Sequence, residues 1–159
     1  MHTIENDKQS LTRFIQTIEE QHARKRDFQA NTAIVQFRTL PLKIGPVSQL
    51  VLEREGGSPT MILDCNKVAR DQIAAKAGID VRTFERFRTH YPVQFDALIN
   101  EVFQREPAQR MIRTYMDSDT RGTARAVVSD KFKTFDNIHL IKATLPQLLD
   151  SDAQWKVVN

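Results

Sequence analysis

Carboxylates are the first residues in this chain whose type and spacing invite chemistry. Asp117, Asp119, Asp130 and Asp136 form a grouping that would suit magnesium, which is held by one or two carboxylates plus substrate phosphate. The first two lie in a polar run ending at Gly122, where Asp is favoured by local hydrogen bonding, and turn chemistry accounts for them. Asp130 and Asp136 fall where a strand hands over to a helix, and a turn and a cap account for them equally. The four histidines, His2, His22, His90 and His139, are dispersed, with no cysteine or carboxylate at ligand spacing. Ser129-Asp130 lacks the flanking glycines of a nucleophile elbow. Cys65, the single cysteine, precedes a helix whose dipole would favour a thiolate, whereas as a small packing residue it would be inert. These residue types point to no cofactor, no metal and no defined reaction.

The cations are more suggestive. Arg82, Arg86 and Arg88 share one segment, Arg105 and Arg110 flank a loop, Arg113 and Arg125 fall on a hairpin, and Lys131 and Lys133 follow it. Such a series would line a groove that tracks a phosphate backbone. Phe84, Phe87, Tyr115, Phe132 and Phe135 are interleaved with it. In single-strand binders such rings stack bases, but at these spacings they are more often core, and Tyr115 and Phe132 are the two expected at the surface. Arg113 and Arg125 face each other across the hairpin, a repulsive pairing unless an anion or a carboxylate lies between them. The expected nucleic-acid-binding set is therefore Arg82, Arg86, Arg88, Arg110, Arg113, Tyr115, Arg125, Lys131 and Lys133, with single strands favoured over duplex.

Composition is permissive rather than decisive. The 159 residues are a one-domain length, and 40 % hydrophobic with 27 % charged residues is ordinary for a globular chain. A net charge of +3 allows a polyanionic partner and serves solubility equally well. One cysteine forms no intramolecular disulfide, which fits a reducing cytoplasm. The polar start, MHTIENDKQS, lacks the apolar core of a signal peptide, and no run approaches the ~20 apolar residues of a membrane span. The expected location is cytoplasmic, with no membrane contact.

The elements that must position these residues are legible from periodicity. Leu11, Phe14, Ile15 and Ile18 give a helix over Leu11–Arg26, an N-terminal arm (residues 1–30) suited to docking a protein partner or a second copy, followed by a polar loop from Asp27 to Thr32. Residues 31–159 are expected to form a single α+β domain. Strands are predicted from Ala33 to Leu42, with Gly45-Pro46 turning the chain, and then over Gln49–Glu55 and Pro59–Leu63 around Gly56-Gly57. That glycine pair is no phosphate loop, because no Lys and Ser/Thr follow. Asp64 to Asn66 caps a helix through Ala77, Asp80 caps Val81–His90, and Val93–Gln104 forms a third. The first two resemble a helix-turn-helix in outline, with Arg82, Thr83, Glu85, Arg86 and Arg88 available to a major groove and Val81, Phe84, Phe87 and Tyr91 on the core face. The alternative is a surface helix whose arginines are solvated or paired with Glu85 and Asp96. The hairpin from Arg110 to Val128 and a helix from Asn137 to Leu149 complete an antiparallel sheet of hairpins covered by helices.

Several of these segments also carry a resemblance. Ile112-Arg113-Thr114, Arg125-Ala126-Val127-Val128-Ser129-Asp130-Lys131-Phe132, and Phe135-Asp136-Asn137 before a helix reaching Leu145-Pro146 follow one another in the order seen in the prokaryotic phage/plasmid-like protein family (domain of unknown function 932). Ala74-Ala75-Lys76-Ala77-Gly78-Ile79 and Leu98-Ile99-Asn100 resemble its upstream segments, so the likeness spans roughly Leu63 to Leu149. It implies a mobile-element setting and a portion or shortened form of a longer protein, but no agreed activity. Together with the charge pattern, it makes a nucleic-acid-associated protein supporting annealing, replication or recombination the leading expectation. A protein-interaction module acting on a host or phage factor is the alternative, and a metal-dependent nuclease comes third.

Overall fold

A computed structural model describes residues 4–53, 60–133 and 137–149. The chain divides into two compact units, one comprising Lys25–Phe132 and the other Met1–Arg24 with Lys133–Asn159. In the second, α1 (Ile4–Arg24) packs against α5 (Asn137–Leu149), with the rings of His22 and His139 edge-on at 6.4 Å. The helix expected over Leu11–Arg26 therefore starts earlier and ends before Lys25. Phe135, Asp136 and the segment around Trp155 lie outside the described residues, as does the expected Gly56-Gly57 turn.

The first unit is an α+β layer pair. Its strands are β1 (Lys25–Asn31), β2 (Val35–Leu42), β3 (Gly45–Leu52), β4 (Met61–Cys65), β5 (Gln109–Met116) and β6 (Arg121–Ser129), in the sheet order β1-β5-β6-β4-β3-β2. Four of the pairings are antiparallel, as a sheet of hairpins requires, and the β4–β6 pairing that joins the two halves is parallel. The helices α2 (Lys67–Lys76), α3 (Val81–His90) and α4 (Pro92–Arg105) form the crossover between β4 and β5. Their starts were legible: the side chains of Asn66 and Asp80 accept N–H bonds from Ala69 and Thr83 at 2.9 and 3.0 Å, and Gly78, at φ +67°, ends the turn after α2.

One correction matters for the site. The segment from Asp27 to Thr32, expected as a loop, is mostly strand β1 and pairs with β5, placing Asp27 opposite Arg113 and Phe28 opposite Ile112. Phe28 and Ala30 supply its only inward apolar residues, too short an alternation to stand out beside Lys25, Arg26 and Asp27. Helices cover one sheet face, where Phe37, Leu50, Leu63, Ile73, Phe84, Phe95, Ile99 and Ile112 are almost fully buried. The opposite face carries Asp27, Arg113 and Tyr115 by strand alternation. Gly122 opens β6 opposite Met116, where a Cβ would collide with the Tyr115 carbonyl, so this tight hairpin exit accepts only glycine.

Candidate nucleic-acid interface

The sheet face bearing the hairpin arginines answers the expected repulsion with a carboxylate. Arg113 Nε donates to Asp27 Oδ2 at 2.9 Å, and Arg125 Nη2 lies 3.6 Å from Oδ1. The register of β5 and β6 shifts between Arg113 and Thr114, making Arg125 the extra residue of a bulge on the Asp27 side. Arg125 also lies 5.0 Å from the Tyr115 ring centre, and Arg113 5.5 Å from that of Phe132. Arg113 is only 8 % exposed. Asp27 thus sits between the two arginines and offsets part of their charge, and the two rings expected as stacking platforms each present a face to an arginine. The carboxylate that relieves the Arg113–Arg125 repulsion is Asp27, so that repulsion does not call for a bound polyanion.

Arg88, expected at the surface, is likewise engaged inside the protein. It is 8 % exposed and turned into the helix layer, where Nη1 donates to the Pro46 carbonyl at 2.8 Å and Nε to Glu85 at 2.6 Å. Glu85 receives Arg70 from α2 as well, at 2.8 Å, and Arg70 reaches the Cys65 carbonyl. Burial alone would raise the Glu85 pKa, but the bonds from both arginines outweigh it and hold the carboxyl below its ordinary value. Asp96, the other expected partner, instead accepts from Thr39, and burial raises its pKa. Arg110 projects to the helix-covered side, Lys131 is exposed in the turn after β6, and Lys133 belongs to the other unit.

What remains open to solvent lies along α3. Arg82 and Arg86 are exposed, four residues apart and therefore stacked on one helix face, with His90 one further turn along. Neither arginine forms an ion pair among the described residues. Further round the same helix Phe87 is 42 % and, at its C-terminal end, Tyr91 50 % exposed, their ring centres 5.7 Å apart. Phe87 stacks on buried Phe95 at 6.3 Å and 22°, which fixes one ring face. The expectation that Val81, Phe87 and Tyr91 share the core face with Phe84 is thus overturned: Phe84 alone is buried. Sequence spacing could not separate them, because residues three apart on a helix differ by only about 60° in direction. Since α3 lies in the helix layer and the Asp27 cluster on the opposite sheet face, the expected cations do not line one groove.

Other chemistry finds no support among the described residues. No group of three His, Cys, Asp or Glu could hold a metal there. Asp117 lies in a turn whose amides bond to Arg121 and whose Ser118 hydroxyl accepts the Arg121 N–H at 3.1 Å. No helix there is long and apolar enough to cross a membrane. Cys65 is buried in the core and its thiol is pushed up to about 12 by that burial, against the lowering effect of Arg70, so the helix dipole does not make it a thiolate. Cys65 should react with a chromogenic disulfide at pH 8 at least about a hundredfold more slowly in the native protein than in denaturant, as thiolate fraction and access both fall. Absorbance at matched reagent concentration checks this; equal rates would mean that the β4 end of the core opens readily.

Comparison with protein-family models, with curated proteins and with solved structures found no match. The likeness to the phage/plasmid-like family rests on the residues quoted for it.

Proposed function

We propose that this chain binds single-stranded nucleic acid through α3, with Arg82 and Arg86 on phosphates and Phe87 and Tyr91 under bases. The observation that carries the reading is the pair of exposed rings on the same helix as two exposed cations that no described carboxylate engages. Exposed aromatic faces accept unstacked bases, which a duplex does not offer, and arginines supply the salt-sensitive attraction to the backbone. The mobile-element setting is implied by the family resemblance and by nothing in the geometry.

Fluorescence anisotropy of labelled single- and double-stranded oligonucleotides across a salt series tests it. The wild type should prefer the single strand, with affinity falling as salt rises. Phe87→Ala/Tyr91→Ala should weaken binding by roughly tenfold or more, since each stacked base contributes about 1–3 kcal/mol. Arg82→Ala/Arg86→Ala should weaken it and flatten the salt slope, whereas Arg113→Ala/Arg125→Ala should leave affinity unchanged wherever the fold survives. A duplex preference would move the reading to major-groove docking of α3, and no binding at low salt would sink it altogether.

The second reading, a module that binds a protein partner through α1, has one observation in its favour: Phe14 is 45 % exposed while Ile15 and Ile18 are half-buried. Capture of a defined partner that is lost on Phe14→Ser would favour it.

A further inference from the structure

Arg110 has no role in the interface just described, yet its surroundings are unusual. It projects from β5 into a cavity of about 360 Å³ between the sheet and the helix layer, walled by Ile73, Phe103 and Val127 and reached past Ala75 and Ser129, which are exposed. The Nε of Arg110 is buried and has no hydrogen-bond partner, and among the described residues its guanidinium forms no ion pair. A buried donor without an acceptor costs about 1–3 kcal/mol, more when charged, so such a group calls for an explanation. Lys76 lines the same cavity; its ammonium donates to the Glu106 carbonyl at 2.8 Å and lies 3.7 Å from the Glu106 carboxylate, leaving a third donor. Gln72 Oε1 accepts the Val127 N–H at 2.6 Å, which leaves the side-chain NH₂ as a donor on the cavity wall. Thr32, by contrast, is fully engaged with Phe103 and Ala108.

We infer that this cavity is a binding site for a small organic monocarboxylate with an apolar body. A planar guanidinium matches a carboxylate bidentately, and the Lys76 and Gln72 donors converge from the α2 side. Cavities of this size lined mainly by apolar side chains with a few convergent polar groups are typical of small-molecule sites. Two exposed carboxylates contact lining residues: Glu106 lies 3.7 Å from Lys76, and Asp130 accepts the Ser129 hydroxyl at 3.2 Å. They would repel a phosphate dianion more than a monoanion. The site is independent of the α3 interface, being formed by β5, β6, α2 and the end of α4.

Isothermal titration calorimetry of the full chain with benzoate, phenyl phosphate and neutral benzyl alcohol tests the assignment. Benzoate should bind saturably at one site, more tightly than either of the other two. Arg110→Met should weaken benzoate at least tenfold and Lys76→Met by a smaller factor. Because Arg110 gives up no internal partner, Arg110→Met should melt at or above the wild-type temperature and bind oligonucleotides as before. Absence of saturable benzoate binding would overturn the proposal, as would benzyl alcohol binding equally well or phenyl phosphate binding more tightly. Should Arg110→Met melt lower than the wild type, Arg110→Gln, which keeps a donor, separates a structural role from a ligand role: loss of benzoate binding with wild-type stability supports the proposal, and unchanged benzoate binding overturns it.

Discussion

Phe84→Ala should lower stability by about 3–5 kcal/mol, the range for deleting a buried aromatic ring. Phe84 is 1 % exposed and meets Phe95 edge-on at 4.8 Å and Phe37 at 6.0 Å. The substitution removes the ring that ties α3 both to α4 and to β2, and it leaves a cavity that three separately anchored elements cannot close. Against the 5–15 kcal/mol typical of a whole domain, the variant would melt about 10 °C or more below the wild type. Phe87→Ala, three residues on, should cost no more than about 1 kcal/mol, since its ring is 42 % exposed and touches the core through one face. Thermal and urea denaturation of the two variants side by side check the contrast. If Phe87→Ala proved as costly as Phe84→Ala, the α3 aromatics would be core, and the proposed stacking surface would fall with them.

The same pair shows how much the sequence could reveal. The caps Asn66 and Asp80, the stop at Gly78 and the α3 span Val81–His90 are local matters of backbone hydrogen bonding, and they emerge as read. So does the β5–β6 hairpin, although a bulge at Arg125 breaks the alternation of β6. Which aromatic of α3 is covered depends on where α4 crosses it, and the distant ring of Phe37 packs against both Phe84 and Phe95. Asp27 was invisible as the partner of Arg113 for a similar reason. The two lie 86 residues apart, in a strand too charged and too short to be read as one. The parallel joining of β4 to β6 belongs with these, because a parallel pair needs the whole α2–α4 crossover and leaves no turn signature. The arginine pattern was read as one surface because sequence gives charge without direction; the fold sends Arg88 inward, Arg113 to the far sheet face and Arg110 into a cavity.

Asn100 is the least legible of the consequential residues, since a polar residue inside an amphipathic helix reads as surface. It instead closes the sheet. β2 is the last strand in the order, and its outward backbone groups would otherwise be open to another strand. The Asn100 side chain accepts the Phe37 N–H at 2.7 Å and donates to the Phe37 carbonyl at 2.8 Å, pairing with the backbone much as a seventh strand would. One turn earlier on α4, Asp96 accepts the Thr39 N–H at 2.6 Å and the Thr39 hydroxyl at 2.8 Å. Asn100→Leu keeps the branching of the side chain and removes both bonds, stranding a donor and an acceptor on a residue with no exposed surface. At about 1–3 kcal/mol for each buried unsatisfied group, the expected loss is about 3 kcal/mol. Asn100→Asp should lose nearly as much, because it keeps the acceptor for the Phe37 N–H but sets a carboxylate oxygen against the Phe37 carbonyl. Freed of its cap, the β2 edge should also seek another partner, so Asn100→Leu should sediment with a concentration-dependent increase in mass that the wild type lacks. A urea midpoint close to wild type for both variants would show that the edge groups find water or other acceptors, and that α4 is held to the sheet by its apolar face alone.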